Sequence, residues 1–222
     1  MRHGSVDYFD AHGRPFESTS VSLNEAGRRQ ADAAGALLSE QQARFDLVVT
    51  SGLPRTIETA RRVLAACGQS DLRCENEPAL VEIQDGDLDS IPEDEREEAM
   101  TRVFLTTGDV DGLVYLAGET IGEMLDRVLP AFEALLARDD WDCLLLVLHG
   151  AVNRALLSRA LMGRRGFLGR FEQAPACINI LDVGPKDIVV RATNIAPTQW
   201  LHGQDRRTSM EQFYAQYVPQ RA

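Results

Sequence analysis

The sequence predicts an α/β fold built on a parallel sheet, and three features carry that expectation. Cys143-Leu-Leu-Leu-Val-Leu148 is apolar throughout, as expected of a strand covered by helices on both faces. It ends at His149-Gly150, and a helical run follows at once from about Ala151 to Met162. Asp46-Leu-Val-Val-Thr-Ser51 repeats the arrangement, running into a second helix with Pro54 in its first turn, where a missing N–H costs nothing. Strands that pass directly into helices put ligand sites at their carboxyl ends.

The 222 residues suffice for one large domain, and we expect a single domain over residues 1–222 with an irregular acidic insert at about 84–117. Apolar residues make up 44% and charged residues 26%, ordinary values for a soluble chain. No stretch approaches the roughly 18 apolar residues of a membrane span, and no signal segment is seen, so a cytoplasmic location is expected. Cys67, Cys74, Cys143 and Cys177 form no CxxC pair and read as buried thiols in a reducing compartment. The net charge of −11 argues against nucleic acid as a partner. Eleven acidic residues and one arginine lie between Glu75 and Met100, so the rest of the chain is nearly neutral and can hold a local positive pocket.

The other elements follow in order. Residues 4–21 lack periodicity and read as a loop. Ser22-Leu23-Asn24-Glu25 has the capping-box pattern and opens a helix through about Gln41. Leu72–Cys74 is expected as a short strand and Leu80–Ile83 as an extended segment. Pro92 to about Thr106 has helical spacing, with Met100, Val103 and Phe104 inward. A helix from Thr120 to about Arg138 buries Ile121, Met124, Leu125, Val128, Phe132 and Leu135, with a kink expected at Pro130. Ile178–Val183 and Ile188–Asn194 pair around Gly184-Pro185, and Thr208–Tyr217 forms a last helix.

Three places carry chemistry. Arg2-His3-Gly4 combines a forked, permanent cation, an imidazole that is neutral near physiological pH, and a residue that permits close backbone approach. By itself the tripeptide reads equally well as a solvated terminus. Arg55 falls in the first turn of a helix after a strand, where free N–H groups and the helix dipole also attract anions; a surface arginine is the plainer alternative. His149 stands where a strand passes into a helix, an unusual place for a core histidine.

Taken together, Arg2-His3-Gly4, Ser51-x-Leu53-x-Arg55-x-x-x-Thr59-Ala60, Gly118-Glu119-Thr120 and His149-Gly150 occur in the order and spacing of the histidine phosphatase superfamily, which this chain resembles over most of its length. The resemblance implies a three-layer α/β/α sandwich with a mainly parallel sheet and a two-step phosphoryl transfer without a cofactor or metal. It casts His3 as the nucleophile, and Arg2, Arg55, His149 and Gly150 as phosphate holders. Glu82, in Val81-Glu82-Ile83-x-x-Gly86, is the acid and base. Asp85, Asp87, Asp89 and Glu93 are nearby rivals, but Glu82 has the most apolar neighbours.

Two departures bear on function. Glycolytic mutases of this family carry an asparagine six residues past the nucleophile, whereas this chain has Phe9, which favours hydrolysis. Family members also have apolar residues ahead of the first motif, forming a central strand, which is expected here to be missing or supplied by something else. The expected activity is hydrolysis of a small phosphate ester. A phosphoglycerate-type mutase and a catalytically weak binding protein are the alternatives, and a homodimer stays open.

Overall fold

In the computed structural model, residues 1–10, 12, 14–108, 110–199 and 207–217 are described. A parallel sheet of three strands lies at the centre, formed by β1 (Leu47–Thr50), β2 (Cys74–Asn76) and β4 (Leu144–Val147) in the order β2-β1-β4. β1 and β4 pair from Leu47↔Leu144 to Thr50↔Val147. Their carboxyl ends are therefore level, and the residues just beyond them meet.

Helices cover both faces of this sheet. On one side lie α1 (Glu25–Glu40) and α2 (Pro54–Ala66), where Ala34, Ala60 and Val63 are buried with Val48, Leu145 and Val147. On the other lie α3 (Arg96–Leu105), α4 (Ile121–Leu136) and α5 (Gly150–Met162), where Met100, Leu125, Phe132 and Ala155 are buried with Leu47 and Val49. This is the expected three-layer α/β/α sandwich. Short strands β3 (Thr107–Gly108) and β5 (Phe167–Leu168) pair antiparallel, as do β6 (Ile178–Val183) and β7 (Ile188–Ile195) around Gly184-Pro185. A last helix, α6 (Ser209–Tyr217), docks on Phe9.

Several local expectations need correction. Asn24, not Ser22, caps α1 by accepting from the Gly27 amide, while the reciprocal capping box is at Thr120 and Glu123 on α4. The strand expected at Leu72–Cys74 begins two residues later. It is an edge strand placed by backbone pairing to β1, and it needs no apolar run. Pro78–Leu80 forms a 3₁₀ turn, so the segment expected to be extended starts only at Val81. α4 runs unbroken through Pro130, which stands on the exposed face with Asp126, so the carbonyl deprived of its intrahelical donor is open to solvent. Cys67 and Cys177 are buried, but Cys74 is half-buried and Cys143 exposed, since Cys143 precedes β4 at the sheet margin. Among the described residues, no helix is long and apolar enough to cross a membrane.

The expectation of a missing central strand is corrected most instructively. Met1–His3 themselves run parallel to β4: the Met1 nitrogen donates to Leu146 O, Leu148 N to Met1 O at 2.9 Å and His3 N to Leu148 O at 2.9 Å. On their other edge, Arg2 N donates to Cys177 O at 3.1 Å and Ala176 N to His3 O at 3.0 Å. Three residues thus join the parallel sheet to the segment that leads into β6. Behind Met1, the gap between β4 and β6 opens into a cavity of ≈ 880 Å³ lined by Leu144, Leu146, Ile180, Leu181, Leu37 and Phe132. The lining comes from the sheet and from both helical layers, so apolar side chains entering it would be covered on both faces.

A chain carrying about five alternating apolar residues ahead of Met1 should therefore fill this slot and gain ladder hydrogen bonds. We expect its melting temperature to rise by about 4 °C or more, corresponding to one or two kcal/mol at this chain length. A Gly/Ser extension of equal length serves as the control, and an equal rise with both would show that the cavity does not bury the added apolar side chains.

Candidate active site

The site forms where Met1–His3, β1 and β4 end. His3 is 2% exposed and follows the short strand directly. Gly4 turns the chain away, and it must be glycine: a Cβ there would lie 2.4 Å from Gly27 O on α1. Its amide donates to Thr59 Oγ1 at 3.1 Å, tying the motif to α2, and Thr59 Oγ1 in turn donates to Arg55 O at 2.7 Å.

The His3 ring has a defined tautomer. Nδ1 lies 2.7 Å from Gly4 O, and a carbonyl only accepts, so the proton is on Nδ1 and the neutral ring carries its lone pair on Nε2. Burial is the largest influence on its titration, followed by the Arg55 and Arg2 guanidinium groups. Together they hold it well below the usual 6.5 against the opposing pull of the Gly4 carbonyl. His149 caps α5 with no exposed surface, its ring 5.2 Å from that of His3. Burial, then Arg55, His3 and Arg2, push it well below 6.5 as well. Its Nε2 is 2.7 Å from Ser51 Oγ, the first residue past β1. Thr56 Oγ1 donates to Leu53 O at 2.8 Å, leaving the Ser51 proton for His149 or for Thr56 itself at 3.1 Å. A proton on His149 Nδ1 requires Ser51 to donate to Nε2.

Arg55 is 2% exposed in the first turn of α2, so it is no surface arginine. Its Nη1 donates to Ser18 O at 2.5 Å, and the Tyr8 ring centroid lies 6.0 Å from its Cζ. Arg2 Nη1 donates to Gln173 O at 2.5 Å. Arg2 Nε, Arg55 Nε and His149 Nδ1 are buried and make no hydrogen bond among the described residues. Buried polar groups are normally paired, so three unpaired nitrogens on two arginines and a histidine leave donors available to an anion.

Glu82 reaches the same place from the far side. Its carboxylate accepts from the amides of Ala151 at 3.1 Å and Val152 at 3.4 Å, at the N-terminus of α5, and from Ile83 N at 3.1 Å. A Cβ added at Gly150 would lie 3.5 Å from Glu82 Oε2 and 3.6 Å from Arg2 Cζ, ordinary van der Waals distances, so both groups border the turn that opens α5. Of the rival acids, Asp85 accepts from Ser18 Oγ, whose carbonyl holds Arg55, while Asp87 caps its own turn at Asp89 N and Asp89 faces Arg96.

All the residues singled out from the sequence thus converge. Sequence reasoning missed the roles of Ser51 and Thr59, although both fall inside a quoted motif whose spacing already placed them beside Arg55. Gln173 and Arg154 were also missed. Arg154 is 2% exposed, donates to Gly150 O at 3.0 Å and stacks on Phe104 at 4.9 Å. Nothing in its sequence context separates it from a surface arginine.

Two histidines buried in the neutral form take up protons more readily once unfolded, so unfolding binds protons below the ordinary value of 6.5. Their contribution to stability is complete above about pH 6.5 and is lost as the pH falls below it. His149→Gln should therefore weaken the acid-side decline of the melting temperature, removing up to about one proton from the uptake on unfolding. Parallel pH profiles for the variant and the wild type would contradict a neutral, buried His149.

The chain is similar to known proteins. Residues 1–196 match the Histidine phosphatase superfamily (branch 1). Phosphoglycerate mutase-like protein 4 of Arabidopsis thaliana is 30% identical over 164 residues, 72% of this chain and 69% of that one. An acid phosphatase of Mycobacterium tuberculosis is 29% identical over 188 residues, 81% and 83% of the two chains. The crystal structure of phosphoglycerate mutase from Bacillus anthracis superposes with a TM-score of 0.68 at 20% identity, covering 87% of this chain and 90% of that one. With the family model matched over residues 1–196, Arg-His-Gly ending a short central strand and a second histidine ring facing the first, the chain belongs to the histidine phosphatase superfamily.

Proposed function

We propose that this chain is a phosphomonoesterase that hydrolyses a small phosphorylated metabolite through a phosphohistidine on His3. The observation that carries the reading is the His3 tautomer: with Nδ1–H committed to Gly4 O, the buried neutral ring has its lone pair on Nε2, the nitrogen free to attack. Nε2 forms the bond to phosphorus as the ester P–O bond breaks in line, and the bonding electrons leave with the alcohol oxygen. Arg2, Arg55 and His149 hold the equatorial oxygens. Phosphoryl transfer needs alignment and charge neutralisation more than covalent help, and these three groups supply both. Glu82 gives its proton to the leaving oxygen through Oε2, which lies beside Gly150 and near the Ala151 amide, while Oε1 is held by the amides of Ile83, Ala151 and Val152. The resulting carboxylate then takes a proton from the water that attacks phosphorus, releasing phosphate and free His3.

A mutase reading draws support from relatives that carry the mutase name. Phe9 weighs against it. Where the mutases have asparagine, this side chain is 7% exposed and packs against Phe213 and Tyr217 of α6, with ring centroids at 5.3 and 5.5 Å. It anchors the last helix rather than offering a polar group to a substrate. With 3-phosphoglycerate and a bisphosphoglycerate primer, a phosphatase releases inorganic phosphate, whereas a mutase yields mainly the isomer.

His3→Ala should lower turnover by about three orders of magnitude or more with the fold intact, since no attacking atom remains. Rapid quenching of the wild type should trap an acid-labile, base-stable phosphoenzyme. Near-normal turnover by the variant would overturn the proposal. Glu82→Gln should cost about 10²- to 10³-fold on an alkyl phosphate, within the range for general acid catalysis. On p-nitrophenyl phosphate, whose leaving group departs without a proton, the phosphorylation step should lose far less. Equal losses would remove Glu82 from the acid role.

A further inference from the structure

We propose that Arg127 and Glu119 form a clamp that positions Glu82 for proton transfer. The inference rests on the reading of Glu82 as the acid. Residues 81–87 belong to no helix or strand, so neither a ladder nor a helix determines where the Glu82 side chain stands. The backbone carbonyls there are bound by a side chain instead. Arg127, on the second turn of α4, donates through Nη1 to Ala79 O at 2.8 Å and Val81 O at 2.7 Å. Its Nη2 donates to Glu82 O at 2.9 Å and to Glu119 Oε2 at 2.8 Å, and its Nε to Glu119 Oε1 at 2.7 Å. A guanidinium has five N–H groups, and all five are used.

Glu119 completes the clamp. Its side chain is 11% exposed and that of Arg127 20%, so the bidentate pair is well shielded from solvent. Glu119 Oε2 also accepts from Gln84 N at 3.0 Å, and its own amide donates to Gln84 O at 2.9 Å. One step further, Gly86 N donates to Leu116 O at 3.0 Å, and a Cβ on Gly86 would lie 2.3 Å from Ala117 O. The segment is therefore held on both sides of Glu82. Its carboxylate is in turn seated on the amides of Ala151 and Val152, which set the direction in which it reaches the site. The clamp fixes where the carboxylate starts, and the N-terminus of α5 fixes where it ends. Arg127 touches no reacting atom in this scheme, which makes it a positioning residue.

The test uses Arg127→Lys and Glu119→Gln in the full chain. Lysine keeps the positive charge near His149, to which Arg127 contributes, but it has three donors and no planar fork. Phosphorylation rates are compared on an alkyl phosphate and on p-nitrophenyl phosphate, with Glu82→Gln as the reference. Each clamp variant should lose about 10- to 100-fold on the alkyl ester, as a misplacement of about 1 Å can cost, and several-fold less on the nitrophenyl ester. In the Glu82→Gln background, Arg127→Lys should add little to the selectivity, since the group it positions is already gone. Equal losses on both esters, with Glu82→Gln still selective, would make the clamp merely structural and overturn this inference alone. A Glu82→Gln variant that is itself unselective would overturn the acid assignment and the clamp's role with it.

Discussion

The hydrogen bonding of Met1–His3 is the constraint on which the rest of this structure depends. Three residues take their place between Leu146–Leu148 on one edge and Ala176–Cys177 on the other, and these bonds aim the end of the motif at the end of β4. They are the backbone link between the parallel sheet and the segment leading into the β6–β7 hairpin, and they set His3 opposite His149. Gly4 then lets the chain turn against Gly27 of α1, a contact that any side chain would block. Strand pairing, a glycine contact and a helix position thus act in series to place one imidazole.

Electrostatics at this place runs against stability. Two neutral histidines, the buried Arg55 guanidinium and the half-buried one of Arg2 lie close together, with Arg2 Nε, Arg55 Nε and His149 Nδ1 buried and unpaired among the described residues. Each unpaired buried donor costs on the order of 1–3 kcal/mol. The surrounding layers offset this with a dense apolar packing in which Val63, Ile121, Met124, Val128, Phe132 and Val147 have almost no exposed surface. Under the proposed function, the same arrangement is what an anionic ester completes, so the strain of the free site and its chemistry share one origin.

The irregular region shows a different economy. It looks least ordered in the sequence, yet Arg96 is 7% exposed, donates to Ile91 O at 3.0 Å and reaches the Tyr217 hydroxyl, while Met100 and Val103 enter the main core. Its described acidic residues face solvent, while Ile91, Arg96, Met100, Val103 and Phe104 are buried and hold it down. Arginine side chains supply the backbone pairing that regular elements provide elsewhere. An arginine with five fixed donors can organise a loop because its geometry is rigid where the loop's is not.

Periodicity in the sequence by itself determined the α/β class, nearly every helix with its buried face and the two strands that pass into helices, and it set Arg2, His3, Arg55 and His149 apart; the family resemblance added Gly150 and Glu82. These were legible because burial imposes a period on each element and because a strand leading into a helix has a recognisable end. Only the tertiary structure decided that Met1–His3 complete the sheet, since a three-residue strand has no period to read. It alone set the His3 tautomer, which depends on how near Gly4 O lies, and brought Glu82 rather than Asp85 or Asp87 to Gly150. It alone gave Ser51, Thr59, Arg127, Arg154 and Gln173 their partners. Each of those contacts joins residues whose separation along the chain carries no signal, so the physical choice among them is made by packing.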